Sequence, residues 1–201
     1  MKNQSIIKIS IIILLFCYSL CEAQKQENIL TIAPPTISRF NIMYHAPSEL
    51  NSMGDKDGID YTIMGFVDLY KQFRPYRKDG MSNEDYFGFG MQLLAPISGT
   101  ITQIKYPNGI NPIGKMGVSN VGIVIITNEK GENLLLAHLD SIIVTIGQKV
   151  NVGDKLGIVS NNGNSRAPHI HLGAYKNDSS MLIEFDRQYL DSYFIEYRKK
   201  E

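Results

Sequence analysis

Between Leu93 and Tyr175 the chain breaks into short apolar runs, each closed by glycine, asparagine or proline, and this punctuation constrains the fold more than any other feature. Val121 to Thr127 is a β-branched run, Asn128-Glu129-Lys130-Gly131-Glu132-Asn133 is a polar turn, and Leu134 to Leu139 is apolar again. Together they read as a hairpin. Ile142 to Ile146, Val150 to Val152 and Leu156 to Val159 follow, parted by Gly147 and Gly153-Asp154. Short strands at this spacing predict an all-β, antiparallel sandwich or barrel. Tyr70 to Gly90 and Lys105 to Asn120 read as long loops, and such loops in a compact domain are commonly functional or disordered. The stretch from Phe185 to Glu201 has room for a short helix.

The first residues carry a different signature. Lys2 and Lys8 precede an apolar run from Ile9 to Tyr18, broken only by Ser10, and Ser19-Leu20-Cys21-Glu22-Ala23-Gln24 follows. A charged start, an apolar stretch and small residues are the layout of a secretory signal peptide, here residues 1–23 with cleavage after Ala23. The run is short for a bilayer span, so no stable membrane helix is expected after cleavage. A lipid anchor on Cys21 is the weaker alternative, since Leu20 stands where a small residue is expected. The expected location is therefore the periplasm or the exterior. Residues 24–45, with Pro34-Pro35 and few periodic signals, read as a lead-in segment, residues 46–185 as the β domain and 186–201 as a tail.

Composition then narrows the chemistry. The 201 residues hold 20 Lys and Arg against 20 Asp and Glu, so no basic excess exists to hold a nucleic acid through its phosphates. A hydrophobic fraction of 43% rules out wholesale disorder. Cleavage removes Lys2, Lys8 and Glu22 from the 20 of each sign and leaves 18 basic and 19 acidic residues. It also removes Cys17 and Cys21, the two cysteines of the chain. Disulfides and thiolates are then excluded, and a metal site must draw on His, Asp, Glu or neutral oxygen.

The four histidines are therefore the residues to place. His169-Ile170-His171 follows the turn Asn161-Asn162-Gly163-Asn164-Ser165 and Pro168, which biases Ala167 toward extended backbone. On a strand, residues two apart share a face, so His169 and His171 point together. Such a pair can share a metal, or one ring can bind metal while the other handles protons; two surface histidines on an edge strand carry about equal weight on spacing alone. His138 closes the run Leu134-Leu135-Leu136-Ala137, and alone it reads as a core-edge imidazole bonded to a carbonyl. His45, in Tyr44-His45-Ala46-Pro47, reads as an exposed loop residue. Asp60 lies between Ile59 and Tyr61, where a strand carboxylate costs energy unless it is paired or bound to metal; an aspartate in a turn is the ordinary alternative.

The combination is more specific than its parts. Phe89 to Ile101, Leu136-Ala137-His138-Leu139, Val144 to Gly157, and Asn161 to Ser165 running into Pro168-His169-Ile170-His171 resemble the lysostaphin-like zinc metallopeptidases, exported endopeptidases of peptidoglycan. The likeness covers about residues 57–175 and is strongest toward the end; Asn83 to Gly88 is similar to a loop found in part of the family. The resemblance implies a duplicated hybrid motif β fold, Zn2+ as cofactor and the stem or cross-bridge peptides of peptidoglycan as substrate. It implies Asp60 and His171 as zinc ligands, with His138 and His169 flanking a zinc-activated water. That division is chemically sound, since zinc with an open position lowers the pKa of bound water to about 7 and neutral imidazoles can orient it and accept its proton. No His-Glu-x-x-His helix is present, so an imidazole would do the work of the glutamate.

The departure from the family lies at the first ligand. Four residues before Asp60, where the family has His, stands Lys56, and the nearest histidine is His45, 15 residues upstream. Either His45 reaches the zinc on a longer loop, or the ligand is lost, with Met53 or Asn51 at the vacated place. Leu136, two before His138, replaces a common tyrosine. Three functions follow: a zinc endopeptidase of the bacterial wall; a degenerate homologue that binds peptidoglycan or regulates a partner wall enzyme; and a carrier module of the biotinyl or lipoyl type, suggested by the hairpin-like Ala95 to Ile101 and Val150 to Leu156. The first is the expectation carried forward.

Overall fold

A computed structural model describes residues 28–45 and 56–198. Its strands are β1 (Ile29–Ile32), β2 (Arg39–Tyr44), β3 (Ile59–Val67), β4 (Gln72–Arg74), β5 (Gln92–Leu94), β6 (Gly99–Lys105), β7 (Ile123–Thr127), β8 (Asn133–Ala137), β9 (Leu139–Asp140), β10 (Lys149–Val150), β11 (Lys155–Val159), β12 (Ile170–Lys176) and β13 (Ser179–Phe185). A helix, α1 (Arg187–Arg198), closes the chain, as the tail allows. The fold is all-β, as expected. The segment expected to be a signal peptide, both cysteines, Asn51 and Met53 lie outside the described residues. Among the described residues no helix is long and apolar enough to cross a membrane.

Ten strands form one large sheet, in the order β1-β13-β12-β8-β7-β6-β10, with β3 also on β12 and itself paired with β2 and β4. A second sheet has the order β5-β11-β9. All pairs are antiparallel except β1 with β13. One face of the large sheet packs on the small one. Ile59, Tyr61 and Ile63 of β3, Leu134 and Leu136 of β8, and Ile170 and Leu172 of β12 meet Leu93, Leu139, Leu156 and Val159 there. Strands β3 and β8 show the period of two that this burial demands. The opposite face is more open and carries a smaller apolar cluster of Ile123, Ile125 and Ala137, with Val121 and Leu135 against it.

The turn motifs work as scaffold. Ala95 N donates to Asp154 O at 2.8 Å and Gly153 N donates to Ala95 O at 2.9 Å, so the Ala-Pro and Gly-Asp segments clasp one another.

Three expectations are corrected. Residues 24–45 are more than a lead-in: β1 buries Leu30 and Ile32 beside β13, and β2 pairs with β3 along its whole length. Alternation over only four residues is too short to stand out in a sequence, and the parallel pairing is non-local. Ile142 to Ile146 is not a strand; Ile143 and Ile146 are exposed, and the segment is tied to the small sheet by Ile143 N donating to Leu156 O. The run Leu134 to Leu139 is two strands, because His138 breaks it with a φ of +66°.

Candidate metal centre and its histidines

Strand register brings the site together. Antiparallel pairing sets His171 opposite Asp60, and residues directly opposite present their side chains on one face. On the other side of β3, Met43 lies opposite Asp60. His45 comes two residues after Met43, so the period of two returns it to the face of Asp60; its N–H donates to Gly58 O. On the other side of β12, Ala137 lies opposite His171. A residue following in extended geometry would point away, yet the left-handed backbone of His138 turns its ring toward His169 and His171, with centroids 4.6 and 6.2 Å apart. His169, two before His171, shares its face.

All three convergent imidazoles point at one oxygen. Asp60 Oδ1 lies 3.0 Å from His45 Nε2, 3.1 Å from His171 Nδ1 and 3.4 Å from His169 Nε2. The rings of His45 and His171 stack with centroids 4.9 Å apart. One candidate ligand atom from each of His45, Asp60 and His171 lies within 4.8 Å of the others. The site is largely shielded: the side chain of His171 is 8% exposed and that of Asp60 20%. Burial by itself would raise the Asp60 pKa, but hydrogen bonds from His169 and His171, the charge of His169 and a hydrogen bond from His45 outweigh it and hold the carboxyl well below its usual range.

The two remaining histidines are oriented from behind. His138 is buried and its Nδ1 lies 2.8 Å from Asn162 O. A carbonyl only accepts, so Nδ1 carries the proton and Nε2 keeps its lone pair. Burial, then the charges of His169 and His171, push the His138 pKa well below the ordinary imidazole value and keep the ring neutral. His169 Nδ1 lies 2.8 Å from Ala167 O and 3.3 Å from Ser165 Oγ, which itself donates to Ala167 O. With Nδ1 turned to these oxygens, the Nε2 of His169 faces Asp60 Oδ1 at 3.4 Å. Two imidazole nitrogens and an ionised carboxylate oxygen, gathered at this spacing, form a donor set suited to a borderline ion such as Zn2+.

The structure thus brings all five sequence-selected residues to one patch, His45 included. In isolation His45 reads as an exposed loop residue; in the fold it is half-buried at the end of an edge strand. Sequence reasoning misses the supports. Asn162 holds His138 by its carbonyl, donates by its Nδ2 to Leu139 O and accepts from Gly122 N by its Oδ1. A Cβ on Gly122 would lie 1.9 Å from Leu139 O, so this approach requires glycine. Asn162 sits in a segment whose local pattern signals only a turn, and Asn111, in the second long loop, has no local signal at all.

An open sheet face with a His/Asp cluster and two tautomer-locked imidazoles is the architecture of a metal-dependent hydrolase site. Residues 85–182, just under half of the chain, match the model of Peptidase family M23, which supports a lysostaphin-like M23 peptidase domain there. The matched span holds His138, His169 and His171 and stops short of His45 and Asp60. Similar solved structures include a point mutant of the catalytic domain of EnpA, a prophage-encoded M23 protein of Enterococcus faecalis, at 21% identity, covering 75% of this chain and 93% of that one with a TM-score of 0.47. Another is lysostaphin, the antimicrobial peptidase of Staphylococcus simulans, at 17% identity, covering 78% of this chain and 50% of that one with a TM-score of 0.46. The deep-sea M23 metalloprotease pseudoalterin is 17% identical, covering 76% of this chain and 75% of that one with a TM-score of 0.47. This chain thus spans about half the length of lysostaphin. A search of curated proteins finds no match.

Proposed function

We propose that the chain is an exported, zinc-dependent metalloendopeptidase that hydrolyses peptide cross-links of bacterial peptidoglycan. The observation that carries the reading is the approach of His45 to Asp60 and His171, which would supply the third ligand that the local motif lacks. His45 Nε2, Asp60 Oδ1 and His171 Nδ1 would hold Zn2+. The ion would supply Lewis acidity to the scissile carbonyl and make an attacking water acidic enough to ionise near neutral pH. His138 and His169 would take the proton of that water at Nε2 and pass it to the leaving amine. A protonated imidazole can then steady the negative oxygen of the tetrahedral intermediate. The signal-peptide layout of residues 1–23 supports export.

The degenerate reading is motivated by Lys56 at the expected ligand place, and it loses that motive if His45 binds the metal. Purified protein should contain about one equivalent of zinc and release new amino termini from cross-linked peptidoglycan, with activity lost on chelation and restored by zinc. His45→Ala, Asp60→Ala and His171→Ala should each lose zinc and cleavage. A folded wild-type protein that binds peptidoglycan without cleaving it, zinc supplied, would favour the degenerate reading and remove this one.

A further inference from the structure

Both proton-handling imidazoles are held by carbonyl groups of a single turn. Asn162 O accepts from His138 and Ala167 O accepts from His169. Residues 162–167 belong to no strand, so no ladder places them. The turn is held by Gly117 N donating to Gly163 O, Gly114 N donating to Arg166 O and the side chain of Asn162, and, from the same distant loop, by the side chain of Asn111, which is fully buried. Its Nδ2 donates to Gly163 O at 2.8 Å and to Ser165 O at 2.9 Å. Its Oδ1 accepts from Ser119 N at 3.0 Å and Ser119 Oγ at 2.9 Å. Two donors and two lone pairs are the whole capacity of an amide side chain, and all four are used. The backbone adds more: Asn111 N donates to Asn161 O, and Asn111 O accepts from Asn83 Nδ2 and Asn161 Nδ2. Three segments, around 83, 111–119 and 161–165, are therefore joined at one residue.

We propose that Asn111 is a positioning residue that sets the tautomer and relative placement of His138 and His169 through the turn at 162–167. Its kinetic consequence rests on the peptidase reading; its effect on the imidazoles does not. A fully satisfied buried amide resists displacement, because any shift leaves polar groups unpaired in a low dielectric. The proposed ligands take their places from the ladders of β2, β3 and β12 and receive no bond from Asn111, so metal binding should be separable from its role.

Asn111→Asp tests this with little change of shape, since it retains an acceptor for Ser119 and removes both donors to the turn. In full-length protein labelled with 15N-histidine, wild type should show the Nδ1–H tautomer at His138 and His169, and the variant a mixture with Nε2–H. Zinc content should be unchanged, and kcat should fall roughly 10–100-fold, the usual scale for groups behind reacting residues, with KM altered far less. Ser119→Ala, which removes one bond on the acceptor side, should act in the same direction more weakly and serves if Asn111→Asp does not fold. A folded variant that retains both Nδ1–H tautomers and wild-type kcat overturns the proposal, as does a wild type lacking those tautomers. Tautomers that shift as expected in a protein that cleaves no peptidoglycan would uphold the positioning and remove the peptidase reading.

Discussion

His138 adopts a backbone that non-glycine residues rarely hold, and three bonds keep it there. Its carbonyl accepts from Ser160 N, its ring donates to Asn162 O, and the next residue is tied by Leu139 N to Gly122 O. Strain of this kind persists only where surroundings over-determine it. The neutral ring has a consequence for stability. A histidine whose folded pKa lies below its unfolded value binds its proton more readily in the unfolded chain. Its contribution is therefore whole above the unfolded pKa, about 6.5, and is lost as pH falls below it, by at most about 1.4 kcal/mol per pH unit. Urea midpoints of metal-free protein should decline below about pH 6.5 in wild type and more gently in His138→Gln. Equal pH slopes in the two proteins would contradict a buried neutral His138. The same substitution should lower turnover by about 10²–10⁴-fold, the usual worth of a general base, while zinc remains bound.

At the scale of elements, strand pairing decides what each histidine can reach. His45 shares the face of Asp60 only because β2 pairs with β3 in the register that sets Met43 opposite Asp60. A slip of one residue would turn every side chain of β2 to the other face. Insertion of one residue between Met43 and Tyr44 should therefore cost zinc as His45→Ala does, while the circular dichroism of the sheet stays near wild type; zinc titration against a competing chelator measures it. The strands β7, β8, β11 and β12 are readable in sequence, because their apolar runs are bounded by turn residues. Four-residue β1 and the non-strand 142–146 mislead for one reason: a short apolar stretch carries no information on whether a partner strand exists.

At the scale of the whole molecule, the two sheets share one core, and the proposed ligands lie on its back. Leu136 of β8 is fully buried in that core, beneath the open face that carries Ala137 opposite His171. Leu136→Ala should cost about 2–5 kcal/mol in chemical denaturation and lower the zinc-bound and zinc-free forms together. Removing residues before Pro34 should also be costly. Leu30 and Ile32 are buried, each worth about 1.5–3 kcal/mol, against a typical total of about 5–15 kcal/mol. A chain starting at Pro34 that melts like the full one would show β1 to be dispensable and return residues 24–45 to the status of a lead-in.

The all-β class and the turn positions are legible in the chain, because they rest on local signals: period-two alternation and glycine and asparagine turns; the His-x-His pair behind proline is visible too, but Asp60, His138, His169 and His171 stand out as a set only through the resemblance of the surrounding motifs to the lysostaphin-like family. The tertiary structure decides the place of His45 and the supports behind His138 and His169. Fifteen residues separate His45 from Asp60, and only the β2–β3 register converts that separation into a 3.0 Å contact. Asn111 and the turn at 162–167 meet through hydrogen bonds between distant loops. Contacts of that kind depend on which segments pack together, and no local pattern of side chains records it.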